Sequence, residues 1–438
     1  MLNKRNLRKK YWKYVVPSII SQLVFTLYMV VDALMVARGV SAEALAGVNI
    51  ASPYVSLLWA IAIMFAVGTS TIIARLMGEG ATENADKVFS QTCAVIVLLS
   101  AVISVLSYFG AGVIGDFLGA TDNTREYTVT YIKTIAPYAL FFIASYLLEV
   151  LMPIDGYPQV ATIVVSIGVA LNCILDYVFI FIFDWGVWGA AIATAISQVV
   201  PTIIYVIRLC RPTANIRFTK FKWNTQLIFQ EMWRGLPSGI ADFSPGIAVF
   251  IFVKFIGKYL GEDGLIAYST IQYVSFMLII IAVAVGQGCQ PLVSYNNGAG
   301  RSDIIKQLLK FEIKDVAIIS AAVIAAAIIT APTIVNIFIP EASTQLQEYS
   351  VHAFRLFVTF SLIDVYNIVL SQYATALEKP LSGILTYLFR TTIFLIAGIV
   401  IMIQILGPEG IWLGMTASEL LTFIMAIGLY KKNKGYLK

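Results

Sequence analysis

Long apolar segments alternate with short polar connections along the whole chain. A helix needs about 20 predominantly apolar residues to cross the hydrocarbon core of a bilayer. Twelve segments meet that requirement, at roughly 14–36, 49–76, 90–115, 131–153, 160–183, 187–209, 236–257, 265–289, 315–339, 354–377, 382–406 and 410–430. The connections contain Gly, Pro or Asp, as in DGYPQ at 155–159. The pattern predicts an all-α membrane protein with twelve transmembrane helices.

The second half of the chain repeats short motifs of the first half in the same order. The matches are YVSL at 54–57 with YVSF at 273–276, GEGA at 78–81 with GAGR at 298–301, and EYTV at 126–129 with EYSV at 348–351. Each copy holds six spans, an even number, so both copies enter the membrane in the same direction. We therefore predict two six-helix bundles related by a parallel internal repeat, a plan found in many transporters. The bundles are an N-lobe at 1–210 and a C-lobe at 236–438, joined by a cytoplasmic linker at 211–235.

Composition and charge support the membrane interpretation. Hydrophobic residues make up 59% of the chain and charged residues 13%, about half the 25% typical of soluble domains. If the N-terminus is cytoplasmic, the inner segments hold 23 of the 30 Lys and Arg residues and the outer segments hold six. The positive-inside rule then predicts a multi-pass protein of the inner (plasma) membrane with both termini in the cytoplasm. The rule also explains the net charge of +5 without a nucleic-acid partner.

The inventory of reactive residues argues against an enzyme. The four cysteines stand singly, none with the spacing of a metal site, and the chain has one histidine. Neither a disulfide framework nor histidine-based catalysis is favoured. We expect no cofactor and no bound metal other than a coupling ion, and we expect a monomer whose partners are membrane lipids and small molecules.

Four polar residues of the first bundle share one depth in the membrane. Asp32 lies about six residues from the outer end of its span, Asp176 about eight and Thr194 about seven, while Asn172 precedes Asp176 by one turn. At 1.5 Å per residue Asp32, Asp176 and Thr194 lie about 9 to 12 Å deep. A carboxylate at a helix centre costs about 2.5–3.5 kcal/mol on insertion scales, which favours a functional reason. The cluster predicts a proton or sodium site at Asp32 and Asp176; the alternative is that each acid only faces a water-filled cavity.

The second half does not copy these acids. Phe252 stands at the repeat position of Asp32, and Ile399 stands at that of Asp176. The repeat therefore keeps the scaffold, and the polar cluster belongs to the N-lobe. This asymmetry predicts that the N-lobe binds the coupling ion.

Candidate substrate contacts rest on charge and aromatic character. The acids within the spans of the C-lobe are Asp242, Asp364 and Glu419, of which Asp364, near mid-membrane, is a candidate counter-charge for a cationic substrate. The alternative for each is an acid that faces a cavity or the interface. Aromatic rings bind flat organic cations through cation–π contacts, although rings in membrane helices more often pack or anchor. The candidate rings are Tyr28, Tyr138 and Phe142.

Pro17 precedes Asp32 by fifteen residues on the first span. A proline removes one helix hydrogen bond and kinks an interior turn, but it is tolerated near a helix start. Pro17 is therefore either a hinge that responds to ion binding at Asp32 or a proline of the first turns.

Four stretches of the chain together resemble the multidrug and toxic compound extrusion (MATE) transporters. They are YMVVDALMVARGVSAEALAG at 28–47, GYPQVATIVVSIGVALNCILDYVFIF at 156–181, GVWGAAIATAISQ at 186–198 and GCQPLVSYNNGAGRSDIIK at 288–306. The resemblance covers essentially the whole chain in the right order. It implies two six-helix lobes that export organic cations and other amphiphiles, driven by an inward flux of protons or sodium.

The resemblance also implies roles for individual residues. Asp32 becomes the coupling carboxylate of the first helix and Pro17 the bend near it. Asn172, Asp176 and Thr194 complete the polar cluster, and Tyr131 joins them on a looser match. Two departures stand out: the loop that contains Pro153 and Ile154 lacks the arginine of many bacterial relatives, and Gly246 occupies the position of a seventh-span acid in the sodium-coupled branch. The second departure favours coupling in the N-lobe.

Four alternatives are weighed against this assignment. A major-facilitator transporter would carry a basic loop between its second and third spans, where this chain has RLMGEGATENADK at 75–87. A lipid-linked sugar flippase would need a strongly basic cavity, and Arg390 is the one basic residue that lies well inside a span rather than near a span end. An exporter of flavins or another amphiphile in the same superfamily stays open. A membrane enzyme lacks a reactive cluster.

Overall fold

A computed structural model describes the backbone of residues 4–339 and 343–434. Within these ranges, the side chains of residues 27–34, 37–38, 42, 243, 273–274, 276–278 and 432–434 lie outside the described part. The described residues form helices and connections without a strand.

Six helices make up the first half of the chain. They are α1 (Lys4–Gly39), α2 (Ala42–Gly78), α3 (Thr82–Phe117), α4 (Asp122–Ile135 and Ala139–Leu151, joined by the 3-10 turn Ala136–Tyr138), α5 (Pro158–Asp176, continued by the π-helical turn Tyr177–Ile182) and α6 (Gly186–Leu209). Pro158 begins α5 because a proline at the first helical position loses no hydrogen bond.

Six further helices follow. They are α7 (Thr225–Tyr259), α8 (Gly261–Gly298), α9 (Ser302–Phe338), α10 (Thr344–Phe357 and Ser361–Ala376, joined by the 3-10 turn Val358–Phe360), α11 (Pro380–Thr391 and Ile393–Leu406) and α12 (Ile411–Lys434). Of the described residues, ten helices are long and apolar enough to cross a membrane. The other two of the twelve are α1 and α8, in which part of the side chains lies outside the described residues. The twelve helices match the predicted spans in order, so the predicted fold class is confirmed.

The internal repeat is visible in the helix boundaries. The second helix of each half ends at a glycine, which is Gly78 in α2 and Gly298 in α8. Shortly after each helix end, Gly80 and Gly300 both adopt left-handed backbone conformations, with φ of +80° and +66°, which glycine adopts without steric cost. The 3-10 turns within α4 and α10 also interrupt equivalent helices of the two halves. Duplication therefore fixes the boundaries and interruptions of the helices as well as their number.

The chain divides into two compact units. The N unit consists of Val16–Gly235, and the C unit consists of Met1–Val15 and Leu236–Lys438. Two parts of the chain thus differ from the predicted lobes. The segment Met1–Val15 belongs with the second half, and the predicted linker belongs to the N unit. Helices α1 and α7 each contribute to both units.

Ionic and aromatic contacts hold the start of α1 in the C unit. Arg8 forms an ion pair with Asp315 of α9, and its guanidinium carbon lies 4.7 Å from the centroid of the Phe311 ring. Tyr11 is fully buried. In the sequence, this segment is interpreted only as a group of basic residues that marks the cytoplasmic side. The pattern of charges does not reveal that its side chains pack against α9.

Hydrogen bonds to the backbone hold the linker in the N unit. Asp155, in the connection between α4 and α5, accepts from the backbone N–H of Asn215 at 2.6 Å. It also pairs with Arg208 of α6 at 3.0 Å. The side chain of Gln91 on α3 exchanges hydrogen bonds with the backbone of Asn224, at 2.7 and 3.1 Å. Arg208 thus supplies the positive charge that the sequence of the α4–α5 loop lacks.

Each unit has its own hydrophobic core. In the N unit one core gathers Phe89, Leu151 and Tyr205 from α3, α4 and α6. In the C unit the core contains Phe252 and Trp412, and the ring of Phe252 lies 5.4 Å from that of Phe357. The residue that replaces Asp32 in the repeat therefore packs as a core side chain.

Candidate ion-coupling site

The structure brings three of the predicted coupling residues together in the N unit. Asn172 and Asp176 lie on α5, one turn apart, and both are fully buried. Thr194 lies on the neighbouring helix α6, and its Oγ1 accepts a long hydrogen bond of 3.5 Å from Asn172 Nδ2. The predicted depth match of these residues therefore corresponds to spatial proximity between Asn172 and Thr194.

Small residues allow α5 and α6 to approach closely beside this cluster. A Cβ atom on Gly168 would lie 3.1 Å from the backbone oxygen of Ser197 and 3.0 Å from Pro201. Close approach through small residues is the usual way in which membrane helices associate. The backbones of α5 and α6 therefore lie close together one turn before Asn172.

The helix changes its hydrogen-bond pattern directly after Asp176. The α-helical part of α5 ends at Asp176, and the next six residues, Tyr177–Ile182, are π-helical. Such turns are rare and often occur at functional sites, since they widen the helix and shift side chains relative to a regular helix. Nothing in the residue pattern of this segment indicated the turn.

The chemistry of the cluster suits a small cation or a proton. Asn172 Oδ1 accepts no hydrogen bond from the described residues, and the carboxylate of Asp176 lies one turn away. Buried carboxylate, amide and hydroxyl oxygens are hard ligands of the kind that alkali and alkaline-earth cations prefer. A proton on Asp176 would remove the same charge.

The remaining predicted residues fall into three groups. The side chains of Asp32 and Tyr28 lie outside the described residues, so their roles stay predictions. Tyr131 and Phe142 of α4 pack in one hydrophobic core with Val187 of α6. Tyr138 is half-buried beside Phe141, at 6.4 Å between ring centroids.

Phe142 is only 1% exposed, and its ring lies 6.0 Å from that of Trp59. In this structure it is therefore a core residue, and substrate contact would require it to repack. Its assignment to substrate binding stays an untested prediction.

Pro17 lies in the interior of α1, thirteen residues after the helix begins at Lys4. The alternative of a proline in the first turn is therefore wrong. Its carbonyl accepts a hydrogen bond of 2.8 Å from the hydroxyl of Thr162 on α5. The hinge role stays a prediction, and Thr162 links this position to the helix that carries Asn172 and Asp176.

A second buried polar cluster lies in the C unit. Arg390 of α11 forms an ion pair with Asp364 of α10 and one with Glu419 of α12, at 2.6 Å from Nε to Oε1. Asn367 Nδ2 donates to Glu419 Oε2 at 2.7 Å. All four side chains are buried. We call Asp364, Asn367, Arg390 and Glu419 the arginine cluster.

The arginine cluster alters the interpretation of Asp364. A candidate counter-charge for a substrate should be open to that substrate, yet Asp364 already pairs with the guanidinium of Arg390. Substrate binding at Asp364 would require Arg390 to move. The sequence singled out all three charged residues, but it did not place them together. An arginine within a membrane span requires an acidic or polar partner. That rule could have predicted that Arg390 pairs with Asp364 and Glu419.

The backbone next to Arg390 is interrupted. Thr392 separates the two segments of α11 with φ of −126° and ψ of −85°. The hydroxyl of Ser418 on α12 donates to the carbonyl of Arg390 at 3.0 Å, so it satisfies a carbonyl close to the break. The arginine cluster thus lies at a helix break that neighbouring α12 supports.

Comparisons with known proteins agree with this architecture. A family model described as MatE matches residues 17–178 and 237–402, most of both halves. Among curated relatives, the multidrug export protein MepA of Staphylococcus saprophyticus is 25% identical over 346 residues, which cover 78% of this chain and 75% of the relative. MepA of Staphylococcus haemolyticus is 25% identical over 351 residues, with 79% and 75% covered.

Solved structures share the fold over nearly the whole length. An outward-facing multidrug resistance MATE family transporter of the MOP superfamily superposes with a TM-score of 0.91 at 22% identity, covering 98% of this chain and 96% of that one. A MOP superfamily transporter from Pyrococcus furiosus, described as having a binding pocket of reversed polarity, gives 0.89 at 22% identity, with 98% and 96% covered. The match of the family model to both halves shows that this chain belongs to the MATE (MatE) family of membrane transporters.

Proposed function

We propose that this chain is a secondary active multidrug exporter, which moves organic cations or other amphiphilic compounds out of the cell in exchange for protons or sodium ions. The observation that carries the proposal is the buried cluster of Asn172, Asp176 and Thr194 on α5 and α6. The family membership and the relatives that are multidrug export proteins support the same assignment. The chemistry of the cluster fits either ion.

The coupling step is a change of charge at Asp176. Ionised Asp176 attracts a cation from the outer side; a bound proton or sodium ion cancels that charge and favours release of the substrate. Movement of the two bundles then exposes the cluster to the cytoplasm, where the ion leaves. Each elementary charge moved through the membrane potential provides about 2.3 kcal/mol per 100 mV. One or two charges therefore sustain a substrate gradient of about one to three decades.

Other residues take roles that follow from the same proposal. Asp32 is a second carboxylate of the ion site, and Pro17 is the interior proline of α1 that bends when the site is occupied. Tyr28 and Tyr138 are candidate substrate contacts, whereas Asp364 would become one only if Arg390 moved away from it. The excess of Lys and Arg in one set of connections supports an orientation with both termini in the cytoplasm.

Ethidium efflux from proteoliposomes tests the proposal. The full chain is reconstituted, and either a pH gradient or a sodium gradient is imposed separately. Wild type is compared with Asp176→Asn, Asp32→Asn and a matched control, Asp184→Asn. Asp184 is exposed in the connection between α5 and α6, with φ of +55°, a conformation that asparagine tolerates well. The control therefore makes the same chemical change eight residues away from Asp176.

We expect only one of the two gradients to drive efflux, and that gradient identifies the coupling ion. We also expect efflux to be lost in Asp176→Asn and kept in Asp184→Asn. Unchanged efflux in Asp176→Asn would exclude this carboxylate from coupling. An absence of efflux from wild type under both gradients would contradict the assignment to organic cations, and flavins and lipid-linked sugars would then be assayed.

A further inference from the structure

Among the residues that the structure describes, two glutamates outside both clusters are buried. Glu231 lies near the start of α7 and is 1% exposed, and Glu312 lies in the first part of α9 and is 2% exposed. A buried ionised carboxylate is costly unless it is paired and hydrogen-bonded. Helices α7 and α1 each contribute to both units. Glu231 lies in the first turns of α7, and Glu312 lies beside the start of α1.

Hydroxyl groups of two other helices surround Glu231. Thr92 of α3 forms a short hydrogen bond with Glu231 Oε1, and Thr69 of α2 also faces the carboxyl group. The backbone of α7 lies directly against α2 here, because a Cβ atom on Gly68 would overlap the carbonyl group of Glu231. We call Glu231, Thr92 and Thr69 the α7 carboxyl site.

A matching group surrounds Glu312. The thiol of Cys289 on α8 faces its carboxyl group, and so does the phenol of Tyr11 on α1. Glu312 Oε2 accepts no hydrogen bond from the described residues, and the hydroxyl of Tyr11 has no partner among them either. We call Glu312, Cys289 and Tyr11 the α9 carboxyl site.

The two sites are equivalent in the internal repeat. The offset along the chain that takes Gly78, at the end of α2, to Gly298, at the end of α8, also takes the start of α3 to the start of α9. That same offset takes Tyr11 to Glu231, Thr69 to Cys289 and Thr92 to Glu312. Each site thus takes one side chain from each of three equivalent helices and contains one carboxyl group, which lies on a different helix in the two sites.

The hydrogen bonds around Thr92 allow Glu231 to be a neutral acid that donates its proton. The hydroxyl of Thr92 has one proton, and its oxygen lies 2.9 Å from the carbonyl of Val88 as well as against Glu231. When that proton is directed to Val88, the contact with Glu231 is a hydrogen bond only if the carboxyl group donates. At Glu312, the oxygen without a donor among the described residues would carry uncompensated charge if the group were ionised.

The charged and titratable groups that face each glutamate are few. Arg234, on the same helix, and Cys93 of α3 face Glu231, and the Arg234 guanidinium also donates to Gln230 at 3.1 Å. Besides its own site, Glu312 faces Tyr373 of α10. Asp315, one turn along α9, pairs with Arg8, so Arg8 is committed to a different carboxylate.

We propose that Glu231 and Glu312 are proton-binding sites, one in each unit, that remain neutral carboxylic acids while the starts of α7 and α1 are packed in place. Loss of either proton puts a charge among hydroxyl, thiol and apolar groups, which weakens the packing of that helix start. Proton binding here does not depend on which ion drives transport.

Infrared spectroscopy of the full chain in lipid nanodiscs tests the proposal without transport. The absorption of protonated carboxyl groups at neutral pH is compared among wild type, Glu231→Gln, Glu312→Gln and the double variant. Glu83→Gln is the matched control, because the Glu83 side chain is 82% exposed and pairs with Lys87. We expect each single variant to lose the absorption of one carboxylic acid, the double variant to lose two, and the control to lose none. No loss in either variant would overturn the proposal, and loss in one alone would overturn the equivalence of the two sites.

Carbodiimide labelling of wild type gives a second measurement that requires no variant to fold. Hydrophobic carbodiimides add to protonated carboxyl groups in apolar surroundings. We expect adducts on the peptides that contain Glu231 and Glu312, falling as the pH rises, and none on the peptide that contains Glu83. Adducts absent from both buried glutamates at neutral pH would contradict the proposal.

Discussion

The two units keep buried polar clusters of opposite kinds. In the C unit the arginine cluster joins two carboxylates to a guanidinium on three helices. In the N unit a hydrogen bond joins the amide of Asn172 to the hydroxyl of Thr194 across two helices, and the buried carboxylate of Asp176 lies one turn from Asn172. The positions that would repeat Asp32 and Asp176 in the C unit are Phe252 and Ile399, both in its hydrophobic core. At these two positions duplication preserved the helices but not the carboxyl groups.

The difference concerns which cluster has an exchangeable charge. A buried carboxylate that is paired with arginine is already compensated, and separating the pair leaves a buried charge at a cost of about 3–5 kcal/mol. The two side chains that accompany Asp176 in the N-unit cluster are an amide and a hydroxyl, and neither carries a charge. We infer that ion exchange occurs in the N unit and that the arginine cluster is structural.

Replacement of Arg390 by methionine should have the largest effect on stability. It leaves Asp364 and Glu419 buried without their cation, and we expect a loss of about 3–5 kcal/mol in the free energy of unfolding. Denaturant unfolding in detergent measures the change. Arg125→Met is the control, since Arg125 forms an exposed pair with Asp116, and should change stability little. Equal effects of the two substitutions would contradict a structural role for the arginine cluster.

Replacement of Asp155 by alanine should release the linker from the N unit. The change removes the ion pair with Arg208 and the hydrogen bond from Asn215. Hydrogen bonds to charged groups contribute about 1.5–3 kcal/mol each, so cleavage of the linker by trypsin should become at least tenfold faster. Limited proteolysis followed by mass spectrometry measures the rate. Glu83→Ala, which removes an exposed carboxylate, is the control. If both variants were cleaved at the same rate, Asp155 would not hold the linker.

The close contact of α2 with α7 allows a smaller test. A Cβ atom on Gly68 overlaps the carbonyl of Glu231, whereas one on Gly246 meets no atom within 4 Å. Overpacking of this kind costs about 1–3 kcal/mol, while alanine in an open helical position stabilises by about 1 kcal/mol. Gly68→Ala should therefore lower the melting temperature and Gly246→Ala should not. If Gly246→Ala lowered the melting temperature more than Gly68→Ala, the close backbone contact between α2 and α7 would be excluded.

Thr194→Val should have the smallest effect. Its hydroxyl takes part in a hydrogen bond at the long limit of 3.5 Å, and a typical net contribution is about 0.5–1.5 kcal/mol. We expect the affinity for the coupling ion to fall by about two- to tenfold, with Thr194→Ser unchanged. Ion dependence of efflux measures both variants. A complete loss of coupling in Thr194→Val would show that the hydroxyl is a direct ligand.

Sequence and structure agree best for features that depend on the length of apolar segments and on the internal repeat. Apolar length predicted the twelve helices, and duplication predicted equivalent boundaries such as Gly78 and Gly298. Depth along the helices placed Asp176 and Thr194 at a similar level, and the structure adds a hydrogen bond between Thr194 and Asn172, one turn from Asp176. Depth does not give the direction in which a side chain points around the helix axis. The sequence therefore did not show that Arg390 faces both Asp364 and Glu419.

Local backbone changes were likewise beyond the sequence. The π-helical turn after Asp176 depends on tertiary packing rather than on residue propensity. Met1–Val15 belongs to the C unit through tertiary contacts, which include the burial of Tyr11 and the ion pair of Arg8 with Asp315. A count of basic residues gives only the side of the membrane.

Ion release on substrate binding tests the central claim most directly. Ethidium is added to the purified full chain in weak buffer, and proton and sodium electrodes record the ions released. Wild type is compared with Asp176→Asn and with Asp364→Asn, which leaves Arg390 paired with Glu419. We predict that Asp176→Asn abolishes release and that Asp364→Asn preserves it. Release that persists in Asp176→Asn and disappears in Asp364→Asn would place ion exchange in the arginine cluster and contradict the account.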